Sequence, residues 1–275
     1  MPGFPDGHFY SPVIDVADLS RRKEAIWPGL PSLPAGVDLN LEAQRSFLAQ
    51  AQSVAGDYDY PLSESVDSSP HQFCEPNGLF ESLDARTLYC MLRMREPAQM
   101  IEVGSGYSSL LAADVNQRWL GGKTEIVCIE PYPPDFFTPL PRGIRQLIPE
   151  RAEAVGIEPF LGLGPGDFLF IDSSHVSKTG SDVNFLYLEV LPRLAPGVVI
   201  HVHDIFMPAE YPQSWVLEEQ RSWNEQYLLQ ALLMYSSAFR VFFGSHFAQL
   251  YLAKEVEETF GGLQGGGSFW FEKTA

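Results

Sequence analysis

The chain has 275 residues, 45% of them hydrophobic and 13% aromatic, which is enough for one substantial core with an elaboration. Its formal net charge of −17 excludes the basic footprint of a non-specific nucleic-acid binder and disfavours adsorption to an anionic membrane. The three cysteines, Cys74, Cys90 and Cys128, are scattered and form no CxxC pair, so they read as buried free thiols rather than as disulfides or a zinc site.

The opening "MPGFPDGHFYSPVID" has neither the basic start nor the apolar centre of a signal peptide, and no stretch approaches membrane-spanning length. The expectation is a cytoplasmic protein that meets neither nucleic acid nor membrane; assembly into a homo-oligomer is left open. Residues 1–78 are rich in Pro and Gly and read as a mainly helical N-terminal extension or lid on a domain spanning 79–275. Within it, "NLEAQRSFLAQAQSVA" predicts a helix capped by Asp38 or Asn40. "GLFESLDARTLYCMLRMREP" predicts a second helix, stopped at Pro97.

From residue 98 the pattern alternates strand and helix. "QMIEV", "TEIVCIEP", "IRQLIPE", "GDFLFIDSS" and "GVVIHVHDI" read as five strands. Helices are predicted over "YSSLLAADVNQRW", near "VGIEPFLGL" and over "VNFLYLEVLPRLA". A long helix is predicted over roughly "LEEQRSWNEQYLLQALLMY", followed by closing strands in "FRVFFGS" and "GSFWFEK". Near-continuous apolar strands separated by helices imply an α/β fold whose parallel sheet is covered on both faces, with sites at the carboxyl ends of the strands.

The first strand end carries Glu102, Gly104, Gly106 and Ser108. Glycines there let the backbone pass close to a ligand. The pattern is not the GxGxxG of dinucleotide binders, since position 109 is Ser. An acid just before the turn repels a pyrophosphate and suits a cationic ligand. Glu130 ends the next strand, where a carboxylate accepts hydrogen bonds from ribose hydroxyls. A ribose, an ammonium group and no phosphate describe S-adenosylmethionine. Ser105 and Tyr107 read as lining of the turn, and Glu153 as a group approaching the adenine.

With "EVGSGYS", "IEP" and "GDFLFIDSSHVSKTGSDVNFLYLEVLPRLAPGVVIHVHDIF" in this order, the chain resembles the class I S-adenosylmethionine-dependent methyltransferases. More narrowly it is similar to the small-molecule O-methyltransferases that include the macrocin-type sugar enzymes, in the neighbourhood of the cephalosporin-hydroxylase-like proteins. The resemblance covers residues 79–275 and implies a Rossmann-like, seven-stranded sheet with its last strand antiparallel. It implies cofactor contacts from Glu102, Gly104, Ser105, Gly106, Ser108, Glu130 and Asp172.

A hydroxyl acceptor needs a base or a metal to lower its pKa. Asp172 closes the fourth strand, and His203 and Asp204 close the fifth. Asp172 and Asp204 match the Mg²⁺-holding positions of metal-dependent relatives, whereas His203 departs from them and suits Mn²⁺, Fe²⁺ or Zn²⁺ better than Mg²⁺. His203 is then a third ligand or a proton acceptor in a metal-free site. His175 stands where macrocin-type relatives carry a DxxH-like base, and His201 reads as a buried strand residue. Tyr211 and Trp215 are candidates for an acceptor pocket, and His8, Phe9 and Tyr10 for closing it. The leading expectation is O-methylation of a small hydroxylated metabolite. The alternatives are a metal-dependent oxygenase on the same fold and a non-catalytic cofactor-binding subunit.

Overall fold

A computed structural model describes residues 3–60 and 72–275. Residues 61–71 of the predicted extension lie outside the described residues. Two short helices, α1 (Val16–Arg21) and α2 (Lys23–Ile26), bury no side chain. The helix α3 (Leu41–Ala55) starts at Asn40, whose left-handed backbone lets its side chain accept from Ala43 N at 3.3 Å, so Asn40 rather than Asp38 is the cap. The helix α4 (Ser82–Arg95) ends at a left-handed Glu96, just before Pro97.

Seven strands follow: β1 (Gln99–Val103), β2 (Glu125–Ile129), β3 (Gln146–Ile148), β4 (Phe168–Ile171), β5 (Val199–Val202), β6 (Phe239–Gly244) and β7 (Phe269–Lys273). They form one sheet in the order β3-β2-β1-β4-β5-β7-β6, in which β7 runs antiparallel to both β5 and β6. Seven strands with the last one reversed are what the resemblance implies. The order changes direction at β1 and β4, which pair in parallel and so open a crevice beyond their carboxyl ends.

Between β1 and β2 lies α5 (Tyr107–Trp119). Short turns α6 (Ala152–Val155) and α7 (Glu158–Leu161) lead into β4, and α8 (Asp182–Phe185) follows it. Alternation along the strands divides the core. Met100, Ile126 and Phe170 belong to one apolar cluster with residues of α3, α4 and α5. Ile101, Leu169 and Ile200 belong to the other, with Val183 of α8 and residues 186–194. The sheet is therefore covered on both faces. All three cysteines are buried.

Three helical stretches differ from expectation. The helix over residues 183–195 passes from α8 into a π turn and then a 3₁₀ turn, where Pro192 has no N–H to continue an α ladder. The long helix expected over 217–235 is instead α9 (Gln213–Leu217) and α10 (Glu225–Leu233). Between them the backbone N–H groups of Asn224 and Glu225 turn to the carbonyl oxygen of His175, at 3.0 and 3.2 Å. Between β6 and β7 lie two helices with no counterpart in the sequence reading, α11 (Ser245–Tyr251) and α12 (Ala253–Phe260). No described helix is long and apolar enough to cross a membrane.

One carboxylate joins the first helical layer to the end of the chain. Asp84, buried in the first turn of α4, accepts from the N–H groups of Gly267 and Ser268, both at 2.9 Å, and from the Ser245 hydroxyl at 3.0 Å. Its removal strands two buried donors, each costing about 1–3 kcal/mol. Asp84→Ala should therefore destabilise the protein by about 2–6 kcal/mol in urea unfolding. A loss below about 0.5 kcal/mol would show that this tie carries no weight.

Candidate active site

Two cavities meet at the carboxyl ends of β1, β2 and β4. The smaller, of about 330 Å³, is bounded by the ends of β2 and β4 and by residues 151–153 and 178–182. The larger, of about 880 Å³, runs from the glycine turn across to residues 203–206 and 264–267. Gly104, Glu130 and Asp172 line both. Gly104 has φ +81°, and a Cβ there would lie 2.7 Å from the Asp172 carbonyl carbon and overlap its oxygen. Only glycine allows β1 and β4 to deliver their ends so close together. At Gly106 a Cβ would meet nothing within 4 Å, so the turn faces open space in the larger cavity.

Glu130 is held at the junction by two N–H groups, from Ser105 at 3.2 Å and from Tyr132 at 2.7 Å. Ser105, Gly106, Tyr107 and Ser108 line the larger cavity, and Glu153 lines the smaller. One carboxylate oxygen of Glu153 is buried with no hydrogen-bond partner among the described residues. Glu102 lines neither cavity. It is fully buried beneath the turn, where its oxygens accept from the Ser108 and Ser109 hydroxyls, so the structure makes it the support of the turn rather than a face of the cleft.

Asp172, His175 and Asp204 bring one donor atom each to within 4.8 Å of one another. His175 Nε2 lies 3.2 Å from Asp172 Oδ1 and 3.7 Å from Asp204 Oδ2. His175 and Asp204 both have left-handed backbones, with φ +59° and +58°, a conformation that non-glycine residues keep only when surroundings enforce it. For His175 the enforcement is visible. Its carbonyl takes the two N–H groups of the α10 start, Nδ1 lies 2.9 Å from the buried Glu225 carboxylate, and Trp223 packs on its ring at 4.2 Å. Ser173 Oγ donates to the same carboxylate.

His203 lies outside this group of three. Its Nε2 is 3.7 Å from Asp204 Oδ1 and 3.9 Å from Asp84 Oδ2, and its buried Nδ1 has no hydrogen-bond partner among the described residues. His201 is buried against the Phe170 ring with Nε2 3.1 Å from Ser268 Oγ, and burial holds it neutral. Trp215 lines the larger cavity, whereas Tyr211 does not: its hydroxyl is spent on Gln226 N. His8 and Phe9 pack tilted and edge-on against Tyr10, and none of the three lines either cavity.

The charges of the cluster are interdependent. Burial would push the His175 imidazolium down, but the Asp172 and Glu225 carboxylates outweigh it and hold its pKa up to about 10. Burial likewise works against the Asp172 carboxylate, yet the neighbouring His203 and His175 bring it below its usual value. Burial dominates at Asp204, which is raised. The residues that sequence reasoning missed are Asp84, Trp223 and Glu225. They reach the site from α4 and the start of α10, far along the chain, and nothing in their local pattern marks them.

Glu102 carries a pH-dependent cost. Burial pushes its pKa up to about 7, only partly relieved by Ser108 and Ser109. A carboxyl raised in the fold favours folding while protonated, and that contribution is lost as pH rises from about 4.5 to 7. Relative to Glu102→Gln, the wild type should lose about 3 kcal/mol of stability across that window, and the difference should stay flat above it. Denaturation of both proteins from pH 4 to 8 checks this; parallel curves would contradict it.

A curated protein of Archaeoglobus fulgidus, itself described only as uncharacterized, is 39% identical over 142 residues. The match covers 51% of this chain and 62% of that protein, so the chain spans less than two thirds of the relative it matches. A putative O-methyltransferase from Klebsiella pneumoniae aligns over 85% of this chain and 90% of its own, at 16% identity and a TM-score of 0.39. An O-methyltransferase from Bacillus cereus, solved in complex with SAH, aligns over 86% and 94%, at 15% identity and a TM-score of 0.41. At that level of likeness the two structures add nothing to the strand order itself. The family model described as "Methyltransferase domain" matches residues 101–205, from within β1 to just past the end of β5. That stretch contains the glycine turn, Glu130, Asp172, His175, His203 and Asp204, and over it the chain is similar to a methyltransferase domain.

Proposed function

We propose that the protein transfers the methyl group of S-adenosylmethionine to a hydroxyl of a small metabolite. The observation that carries this reading is the junction at Gly104, Glu130 and Asp172, where a nucleoside-sized cavity opens directly into a larger cleft lined by ionisable groups. The residues present fit the cofactor. Glu130 stands at the boundary with two N–H groups holding it in place, as a ribose partner needs. The unpartnered Glu153 oxygen offers an acceptor to an adenine amino group in the smaller cavity. Open space over Gly106 leaves room for the amino-acid end. When bound, the cofactor supplies an electrophilic methyl group on a sulfonium.

Two carboxylates and an imidazole with converging donor atoms also fit a divalent cation such as Mn²⁺ or Fe²⁺, and suit Mg²⁺ less well. Asp172, His175 and Asp204 would hold it, and it would lower the pKa of an acceptor hydroxyl. The Glu225 carboxylate at Nδ1 turns His175 Nε2 toward the two aspartates, the arrangement by which a carboxylate orients a ligating histidine. This gives His175 the holding role rather than that of a base. His203, uncommitted at Nδ1 and facing the same cleft, is the group assigned to take the acceptor's proton.

Calorimetry with S-adenosylhomocysteine tests the cofactor half. Gly104→Val should abolish binding, and Glu130→Ala and Glu153→Ala should each weaken it by about 1–3 kcal/mol. Unchanged affinity in all three would remove the methyltransferase reading. Titration with Mn²⁺ tests the cluster: Asp172→Asn, Asp204→Asn and His175→Ala should lose the ion, while His203→Gln should keep it. With an acceptor in hand, His203→Gln should slow turnover by about 10²- to 10⁴-fold. Full activity after exhaustive chelation would leave the cluster without a metal role.

A further inference from the structure

A third cavity, of about 580 Å³, adjoins the larger cleft and shares Phe206, Gly265 and Gly266 with it. Its walls come from four separated segments: residues 25–32, residues 206–212, residues 246–250 and residues 265–266. Ile26, Trp27, Pro31, Pro208, Pro212 and Leu250 make it largely apolar. No lysine or arginine lines it, so an anionic group placed there would find no counter-charge. Of its two ionisable lining residues, Glu210 is occupied by the Tyr227 hydroxyl at 2.5 Å, and His246 is held toward its neutral form by burial.

The chamber is tied together. The N-terminal strap crosses residues 206–224 and is fastened there by Trp27 Nε1 to the Tyr211 carbonyl at 2.8 Å and by Ile14 N to the Ser222 hydroxyl at 3.3 Å. On the other side the Tyr251 hydroxyl donates to the Pro31 carbonyl at 2.9 Å. These bonds hold a hollow open between segments that could otherwise collapse together. The wall it shares with the larger cleft lies beside the proposed chemistry: Phe206 is two residues from Asp204, and Ile205 N donates to the Gly267 carbonyl at 2.9 Å, which keeps the 265–267 loop against that strand end.

Building on the methyltransferase reading, we infer that this chamber binds an uncharged alkyl or aryl portion of the acceptor while the acceptor's hydroxyl lies at Asp172 and Asp204. The substrate class is then an amphipathic hydroxylated molecule, not a free sugar or a phosphorylated metabolite. Its volume lies within the range of small-molecule sites. Affinity should grow with the apolar length of the ligand until the chamber is filled.

The test is calorimetric titration of the full chain with phenol, 4-propylphenol and 4-hexylphenol, alongside a separate titration with S-adenosylhomocysteine. In the wild type the dissociation constant should fall about two- to fourfold for each added methylene. Ala209→Trp, which fills the chamber, and Ile26→Glu, which places a charge on the strap wall, should both flatten that dependence. Each should keep wild-type affinity for S-adenosylhomocysteine, which reports an intact fold. No chain-length dependence in the wild type, or the same dependence in both variants, overturns the chamber assignment. Failure of the wild type to bind S-adenosylhomocysteine removes the methyltransferase reading instead, and the alkyl series still decides whether the chamber takes an apolar tail.

Discussion

The close approach of two strand ends governs this molecule. β1 and β4 pair in parallel, and the chain leaving β1 at Gly104 passes so near the Asp172 carbonyl that no side chain could be accommodated. That contact puts the glycine turn, the acid at the end of β2 and the acid at the end of β4 around one point, Gly104, Glu130 and Asp172. Everything proposed about chemistry depends on it. The nucleoside-sized cavity lies on one side of the point and the acidic, aromatic cleft on the other. The buried Glu102 serves the same end from below, holding the first turn of α5 through two serine hydroxyls at the expense of a carboxyl in an apolar setting.

A second constraint acts from outside the sheet. The start of α10 grips His175 by its backbone carbonyl, its Nδ1 and its ring face. The grip sustains a left-handed backbone at His175 and aims Nε2 at Asp172 and Asp204. It also explains why the predicted helix over residues 217–235 breaks: the N–H groups of Asn224 and Glu225, which would continue it, are committed to His175 instead. Strain and broken regularity therefore coincide with the candidate site, as expected where local preference yields to function.

Much of this was legible in the sequence because it is local. Apolar runs of strand length, a glycine pair after β1 and acids at the ends of β2, β4 and β5 occupy short windows, and their order along the chain implies their order in space. What was not legible is long-range. Asp84 lies 183 residues before its partner Gly267, and Glu225 lies 50 residues after His175. Both looked like ordinary polar positions on helices. The wrong aim of Glu102 has a different cause: an acid beside a glycine turn is read as facing the ligand, but strand alternation and the serines of α5 point it beneath the turn. The helices α11 and α12 have no counterpart in the sequence reading, although Val256 and Phe260 are spaced for a buried helical face.

The most direct measurement is a crystal structure of the protein grown with S-adenosylhomocysteine and Mn²⁺, with anomalous data at the manganese edge. The account predicts the nucleoside in the smaller cavity with its ribose at Glu130, the amino-acid end over Gly106, and one anomalous peak bounded by Asp172, His175 and Asp204. A nucleoside bound elsewhere, or side chains that leave both cavities closed, would contradict it.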